Sequence, residues 1–286
     1  MTAASYLHDS KTLSTGSYDG RARTWDVSSG AAGPIDGEMH SNYVSGIAAS
    51  PTEGRVYSVG WDDTLRTIDA SQRSFTGTAI KTAGQPKGVA VATVGGKPHT
   101  LVATASGITT YADGSEVSKQ SLPSPATCIA ASGETVAVGS DDKRVRIFKA
   151  SSPASFDAMV ELKDPTSPIS TLAFSADGSY LAVGLSNGKI FVYTNSAGSW
   201  TLETNRWSAH TARVTCIDWS PDGKKAVSGA LDTNVFVWSL ADPGKRIKAL
   251  NAHKEGVGGV VWAGDSKVIS TGADAAVKVW KVEGVP

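Results

Sequence analysis

Cysteine is nearly missing from this sequence: Cys128 and Cys216 are the only two in 286 residues. They lie in similar apolar stretches, Thr127-Cys128-Ile129-Ala130 and Thr215-Cys216-Ile217-Asp218. Two thiols at matching positions of different repeats are expected to be buried and free, as in a reducing compartment, and not joined as a disulfide. No C-x-x-C or H-x-x-x-H spacing accompanies them, so neither a metal nor another cofactor is expected. Long hydrophobic runs are missing too. Segments such as Val257 to Trp262 fall far short of the roughly 20 apolar residues of a membrane helix, and no membrane partner is expected. Met1 to Tyr6 shows no basic stretch followed by an apolar one, so the expected location is cytoplasmic. Finally, there is no net charge of either sign, with Lys plus Arg and Asp plus Glu both at 27. Phosphate neutralisation needs a basic excess, so the balance argues against a nucleic-acid partner.

What the sequence does contain is a repeat. One copy runs from Val214 through Trp219-Ser220-Pro221-Asp222-Gly223 to Ala226-Val227-Ser228-Gly229-Ala230-Leu231-Asp232 and Val235-Phe236-Val237-Trp238. The next runs from Val257 to Trp262, then Val268 to Asp274 and Val277-Lys278-Val279-Trp280. The same frame recurs with Asp19 and Trp25, Asp62 and Ile68, Asp142 and Phe148, and Asn187 and Tyr193. A degenerate copy without the Asp, Leu101 to Gly107 leading to Tyr111, has its turn near Ser106. Seven copies spaced by about 36 to 45 residues match the period of propeller blades.

Each copy reads as short β-rich runs separated by turn chemistry. Ser175-Ala176-Asp177-Gly178 and Ser220-Pro221-Asp222-Gly223 place Asp and Gly where a hairpin needs local side-chain bonds and positive φ. No long segment shows the helical apolar period. The expected fold is all-β, a single seven-bladed β-propeller over residues 1–286. Its blade cores are expected near 2–26, 44–69, 87–112, 126–149, 168–194, 213–239 and 257–282. Small residues such as Ala48-Ala49 and Ala130-Ala131 would let the strands crowd together.

Several polar residues imitate a hydrolase. The sixth copy carries His210, Ser228, Asp232 and Trp238, and the seventh His253, Ser270, Asp274 and Trp280. The set occurs twice and no G-x-S-x-G elbow is present, so a catalytic triad is rejected and no enzyme activity is expected. These residues are expected to form buried hydrogen-bonded sets running from the Trp indole through Ser and His to Asp. The first copy keeps Thr15, Asp19 and Trp25, but the chain begins too late to supply the repeat's preceding His. The second keeps His40, Ser58 and Asp62 with Ile68 replacing Trp. In the middle copies Val138 and Val183 replace the hydroxyl residue, so the third to fifth blades are expected to be softer. The run Asp141-Asp142-Lys143-Arg144 mixes signs and is expected as a solvated loop. Gly95-Gly96-Lys97 lacks the spacing of a phosphate loop and is expected as a hairpin turn.

The pattern Ser-x-x-x-Asp-x-x-x-x-x-Trp, with His before the first strand, resembles WD40 repeats across essentially the whole chain. Four further segments are similar to the carboxy-terminal half of the actin-interacting protein 1 family: Met39 to Ser45, Asp62 to Arg66, Gln85 to Val91, and Trp238-Ser239-Leu240-Ala241-Asp242-Pro243 continuing to Ala252-His253. That family has two joined propellers and acts on cofilin-decorated actin filaments. The resemblance therefore implies actin filaments and cofilin as partners, filament disassembly as the activity, and an absent amino-terminal propeller as a neighbour. The other reading is a general WD40 scaffold with an unrelated protein partner.

In that family the outer strand of the last blade comes from the far amino terminus. The last blade here is accordingly expected to have three strands, with an open edge between Val277 and Val282. Loops bearing the His and Asp residues share one face, where Tyr18, Tyr43, Trp61 and Trp207, with Arg213 and Lys254, are candidate partner-binding residues. Aromatic and Arg side chains are the common anchors of protein interfaces. Trp61 is the strongest of these because it sits in a turn.

Overall fold

The computed structural model describes residues 1–6 and 12–284. Residues 7–11 of the expected core 2–26, and the last two of the chain, lie outside the described residues. Every regular element described is a strand. Each sheet joins consecutive strands in antiparallel order, and the sheets span residues 3–34, 44–81, 86–121, 126–162, 169–208, 214–249 and 257–281. The first six have four strands and the last has three. The chain divides into two compact units, Met1–Val136 with Lys149–Asp157, and Ala137–Phe148 with Ala158–Pro286. Residues of the fourth sheet are divided between them.

The turns behave as their sequences dictate. Between Ile169–Phe174 and Tyr180–Leu185, Gly178 takes φ +71 and the Ser175 hydroxyl donates to Asp177 at 2.6 Å. The same solution recurs in the next sheet, with Gly223 at φ +66 and Ser220 bonded to Asp222 at 2.5 Å. Gly95 and Gly96 both have positive φ and close the hairpin between Pro86–Val94 and Lys97–Thr104, the turn read from the sequence. In the third sheet Ala105 and Ser106 form the turn before Gly107–Ala112.

Within each unit, apolar side chains of adjacent sheets cover one another. In the first unit Val59, Leu65, Val89, Val102 and Tyr111 form one cluster, and Ala22, Ile35, Val56 and Ile68 another. Removing a side chain such as Ile68 or Leu65 fully from water contributes about 1.5–3 kcal/mol. In the second unit Trp207, Trp219, Phe236 and Trp238 pack with Ile190 and Val192.

A hydroxyl on or just before the first strand of a sheet repeatedly reaches the first carbonyl of the next. Thr2 donates to the Val44 carbonyl at 2.6 Å, Ser45 to Pro86 at 3.3 Å, Ser170 to Val214 at 2.7 Å and Thr215 to Val257 at 2.6 Å. Three positions further along, side chains accept amides from the neighbouring sheet. Ser5 takes the Ala49 N–H at 3.2 Å and Asp218 the Trp262 N–H at 2.6 Å. These bonds satisfy polar groups in a crowded place and fix the stagger of adjacent sheets.

The last sheet has three described strands, as the family resemblance implied. Gly272 donates to the Ala276 carbonyl and Val282 to the Ser266 carbonyl, so alternate residues of Val277–Lys281 turn their backbone groups toward the neighbouring strand. Val277, Val279 and Lys281 consequently turn theirs outward. No described strand pairs with them on that side, and Val279 is 55% exposed.

Candidate functional site

Two groups of residues compete for a functional reading, the buried polar sets and the exposed aromatics beside them. The polar sets assemble as the spacing implied. His210 contacts Asp232 through Nδ1 at 3.0 Å and Ser228 Oγ through Nε2 at 2.8 Å, while Trp238 Nε1 donates to Ser228 Oγ at 2.8 Å. His253, Asp274, Ser270 and Trp280 repeat this with contacts of 2.9, 2.8 and 2.8 Å. In the second sheet His40 bridges Asp62 and Ser58, both at 2.9 Å, and Ile68 removes the indole donor. In the first sheet Trp25 Nε1 donates to Thr15 Oγ1 at 2.9 Å, while Asp19 accepts the Arg21 amide at 3.1 Å.

The order of donors fixes the protonation of these sets. The ionised Asp232 can only accept, so the neutral His210 carries its proton on Nδ1, and Nε2 accepts from Ser228, whose oxygen accepts the Trp238 indole N–H. Burial lowers the pKa of His210 and of His40 despite the adjacent Asp, keeping the imidazoles neutral. Burial would raise Asp62 and Asp232, but hydrogen bonds prevail and hold both below the ordinary carboxylate range: His40, Thr64 and Ser41 for Asp62, Thr211 and His210 for Asp232. Ser58, Ser228 and Ser270 are 0% exposed. A substrate cannot reach them, so these trios position loops.

That positioning creates the second group. Each Asp caps a tight turn and draws in the loop that carries its His. Ser41, Thr211 and Lys254 donate backbone N–H groups to Asp62, Asp232 and Asp274. The residue just before the Asp is pushed outward: Tyr18 is 63%, Trp61 50% and Leu231 52% exposed. In the first unit Tyr43 lies between two of these rings, with its centroid 4.9 Å from that of Tyr18 and 4.9 Å from that of Trp61. Gly20, at φ +80, permits the contact, because a Cβ there would run into the His40 carbonyl. The Tyr18 hydroxyl and Trp61 indole N–H have no protein partner among the described residues.

The structure thus brings Tyr18, Tyr43 and Trp61 into one tilted row. Arg213 and Lys254 are exposed on loops of the second unit. Trp207 is a correction: it is 0% exposed, stacked on Trp238 at 5.7 Å and 15° and tilted against Trp219 at 5.9 Å. It ends an outer strand whose inward side meets the next sheet, so it serves the core.

Sequence reasoning missed two features. Leu231 occupies the outward position before the Asp, a regularity visible once Tyr18 and Trp61 are aligned with it. The Asp141–Arg144 run is not merely solvated: Asp142 pairs with Arg146 at 2.6 Å, and Arg146 also reaches Glu161 at 3.3 Å. Arg146 compensates the turn Asp in a copy that has no His. Sequence gave a signal, an Arg four residues after the Asp.

The profile "WD domain, G-beta repeat" matches residues 1–26, 157–194, 202–239 and 244–281. The β-propeller domain of Cps50 (Swd1) from Myceliophteria thermophila superposes with a TM-score of 0.83, covering 98% of this chain and 96% of that one at 15% identity. The chain is a WD40-repeat β-propeller with seven blades. Among curated relatives, the propeller is 30% identical over 290 residues to "Actin-interacting protein 1" of Caenorhabditis elegans and 32% identical over 290 residues to that of Drosophila melanogaster. The alignments cover 99% and 100% of the propeller and 46% of each relative, so the propeller spans about half their length. No helix of the described residues is long and apolar enough to cross a membrane.

Proposed function

We propose that this propeller is a non-catalytic binding module that engages actin filaments together with cofilin and promotes filament disassembly, as the carboxy-terminal half of a two-propeller protein of the actin cytoskeleton. The carrying observation is similarity along essentially the whole chain to one half of proteins named for interacting with actin. The surface chemistry supports the same reading. Rigid exposed aromatics on hydrogen-bonded turns suit a protein partner, because they bury large area at little entropic cost. The serines of the polar sets are sealed, which favours binding over turnover.

The test is disassembly of pyrene-labelled actin filaments by cofilin in the presence of the purified chain. Acceleration by severalfold over cofilin alone is expected. An unchanged rate with a folded chain would leave a WD40 scaffold with another protein partner.

A further inference from the structure

One backbone bond recurs in four blades, between the residue ahead of the turn Asp or Asn and the residue ahead of the first strand. The Trp61 amide donates to the Tyr43 carbonyl at 2.8 Å, Ser186 to Pro168 at 3.0 Å, Leu231 to Arg213 at 3.0 Å and Ala273 to Gly256 at 3.3 Å. The bond forms with four unrelated pairs of side chains. The turn therefore closes without aromatic rings, and the rings of Tyr43 and Trp61, with Tyr18 added beside them by the first blade, are surplus to folding.

These rings form a fixed platform. The Val44 amide donates to the Ser17 carbonyl at 3.0 Å, which ties the backbone beside Tyr18 to that beside Tyr43, and the Trp61 bond ties Tyr43 to Trp61. The centroids advance in two steps of 4.9 Å with tilts of 48° and 58°. Together the steps span about one turn of a polyproline II helix, three residues rising about 3.1 Å each. At the ends of the row the Tyr18 hydroxyl and the Trp61 indole N–H, both without a protein partner among the described residues, are hydrogen-bond donors. Charges of both signs flank the row. Asp19 pairs with Arg21 at 3.6 Å, and the Lys81 ammonium reaches the Asp62 carbonyl at 3.1 Å beside Asp63. The platform thus presents aromatic faces and two donors, with no dominant charge.

We propose that the row receives a proline-rich segment of a partner protein in the polyproline II conformation, with proline rings seated against the tilted aromatic faces and carbonyls accepting from Tyr18 and Trp61. A proline-rich chain leaves its carbonyls exposed, carries few N–H groups that would need acceptors, and is already ordered before it docks. An α-helix spends its carbonyls internally and would leave both donors unanswered. An added strand needs a free sheet edge, whereas these rings stand on turns. This deepens the reading of the chain as a protein-binding module and rests on it.

The test titrates the full chain into fluorescein-labelled decaproline, and into a glycine-serine decapeptide, and follows anisotropy with neither actin nor cofilin present. Decaproline should bind at least about tenfold more tightly than the glycine-serine peptide, and added salt should change its affinity little. Trp61→Ala should weaken decaproline binding about tenfold and Tyr18→Ala severalfold. Trp61→Phe keeps a ring and loses the donor, so its affinity should fall between those of wild type and Trp61→Ala. Leu231→Ala, at the matching position of the sixth blade, should bind as wild type does. All three side chains are at least half exposed, so circular dichroism should show the variants folded. Because the assay contains no filament, its failure would leave the filament-binding function standing. Equal affinity for the two peptides, absence of binding to either, or decaproline affinity unchanged in both Tyr18→Ala and Trp61→Ala would show that the row does not receive polyproline II.

Discussion

Replacing Ser228 with alanine tests whether the buried polar sets hold the blades as described. The hydroxyl donates to His210 Nε2 at 2.8 Å and accepts from Trp238 Nε1 at 2.8 Å, at 0% exposure. Alanine strands an imidazole acceptor and an indole donor where water does not reach. Each unpartnered buried group costs about 1–3 kcal/mol, so the loss should be about 2–6 kcal/mol. Ser58 is the internal control. It meets His40 at 2.9 Å, but Ile68 stands where an indole would be, so Ser58→Ala strands one group and should cost about 1–3 kcal/mol. Urea unfolding gives both values, and the midpoint should move while the slope stays constant. In a Trp238→Phe background the cost of Ser228→Ala should fall to that of Ser58→Ala, the coupling expected of groups sharing one atom. Equal costs for the two serines in the wild-type background would show that the Trp238 indole does not depend on Ser228 for its partner.

Acidity should act in two opposed ways. His40 and His210 have depressed pKa values in the fold, because burial outweighs the attraction of Asp62 and Asp232. Their contribution to stability is present above about pH 6.5 and lost as pH falls through the folded values, and NMR titration should find both imidazoles neutral below pH 6.5. Burial instead pushes Asp218 up to about 6, against the amides of Trp262 and Trp219. Its contribution is complete below about pH 4 and lost as pH rises through 6, so wild type should lose stability relative to Asp218→Asn between those values. Asp218 keeps some solvent exposure, which makes about 2–3 kcal/mol a ceiling on that loss. Trp61→Ala should change unfolding stability by less than about 1 kcal/mol, since half the ring faces water, yet weaken filament binding about tenfold in co-sedimentation. Val279→Lys places a charge on the open edge and should suppress concentration-dependent association in sedimentation velocity without altering the unfolding midpoint.

The repeat made most of the fold legible, because a blade needs its turn Asp, its alternating strand and its Ser-Pro-Asp-Gly hairpin at fixed offsets. The set of His210, Ser228, Asp232 and Trp238 was readable for that reason, whereas the three-stranded last sheet was expected from the family resemblance and not from the repeat. Less legible was what depends on the neighbouring blade. Trp207 has the composition of an interface anchor, and only its stacking on Trp238 shows that its ring is spent on the core. Arg146 escaped notice because its partner Glu161 lies on the next strand, paired through space and not by motif.

Co-sedimentation of the purified chain with actin filaments, with and without cofilin, tests the proposed function most directly. The chain should pellet with filaments, and more strongly when cofilin is bound. A folded chain that stays in the supernatant under both conditions would rule out the filament-binding function.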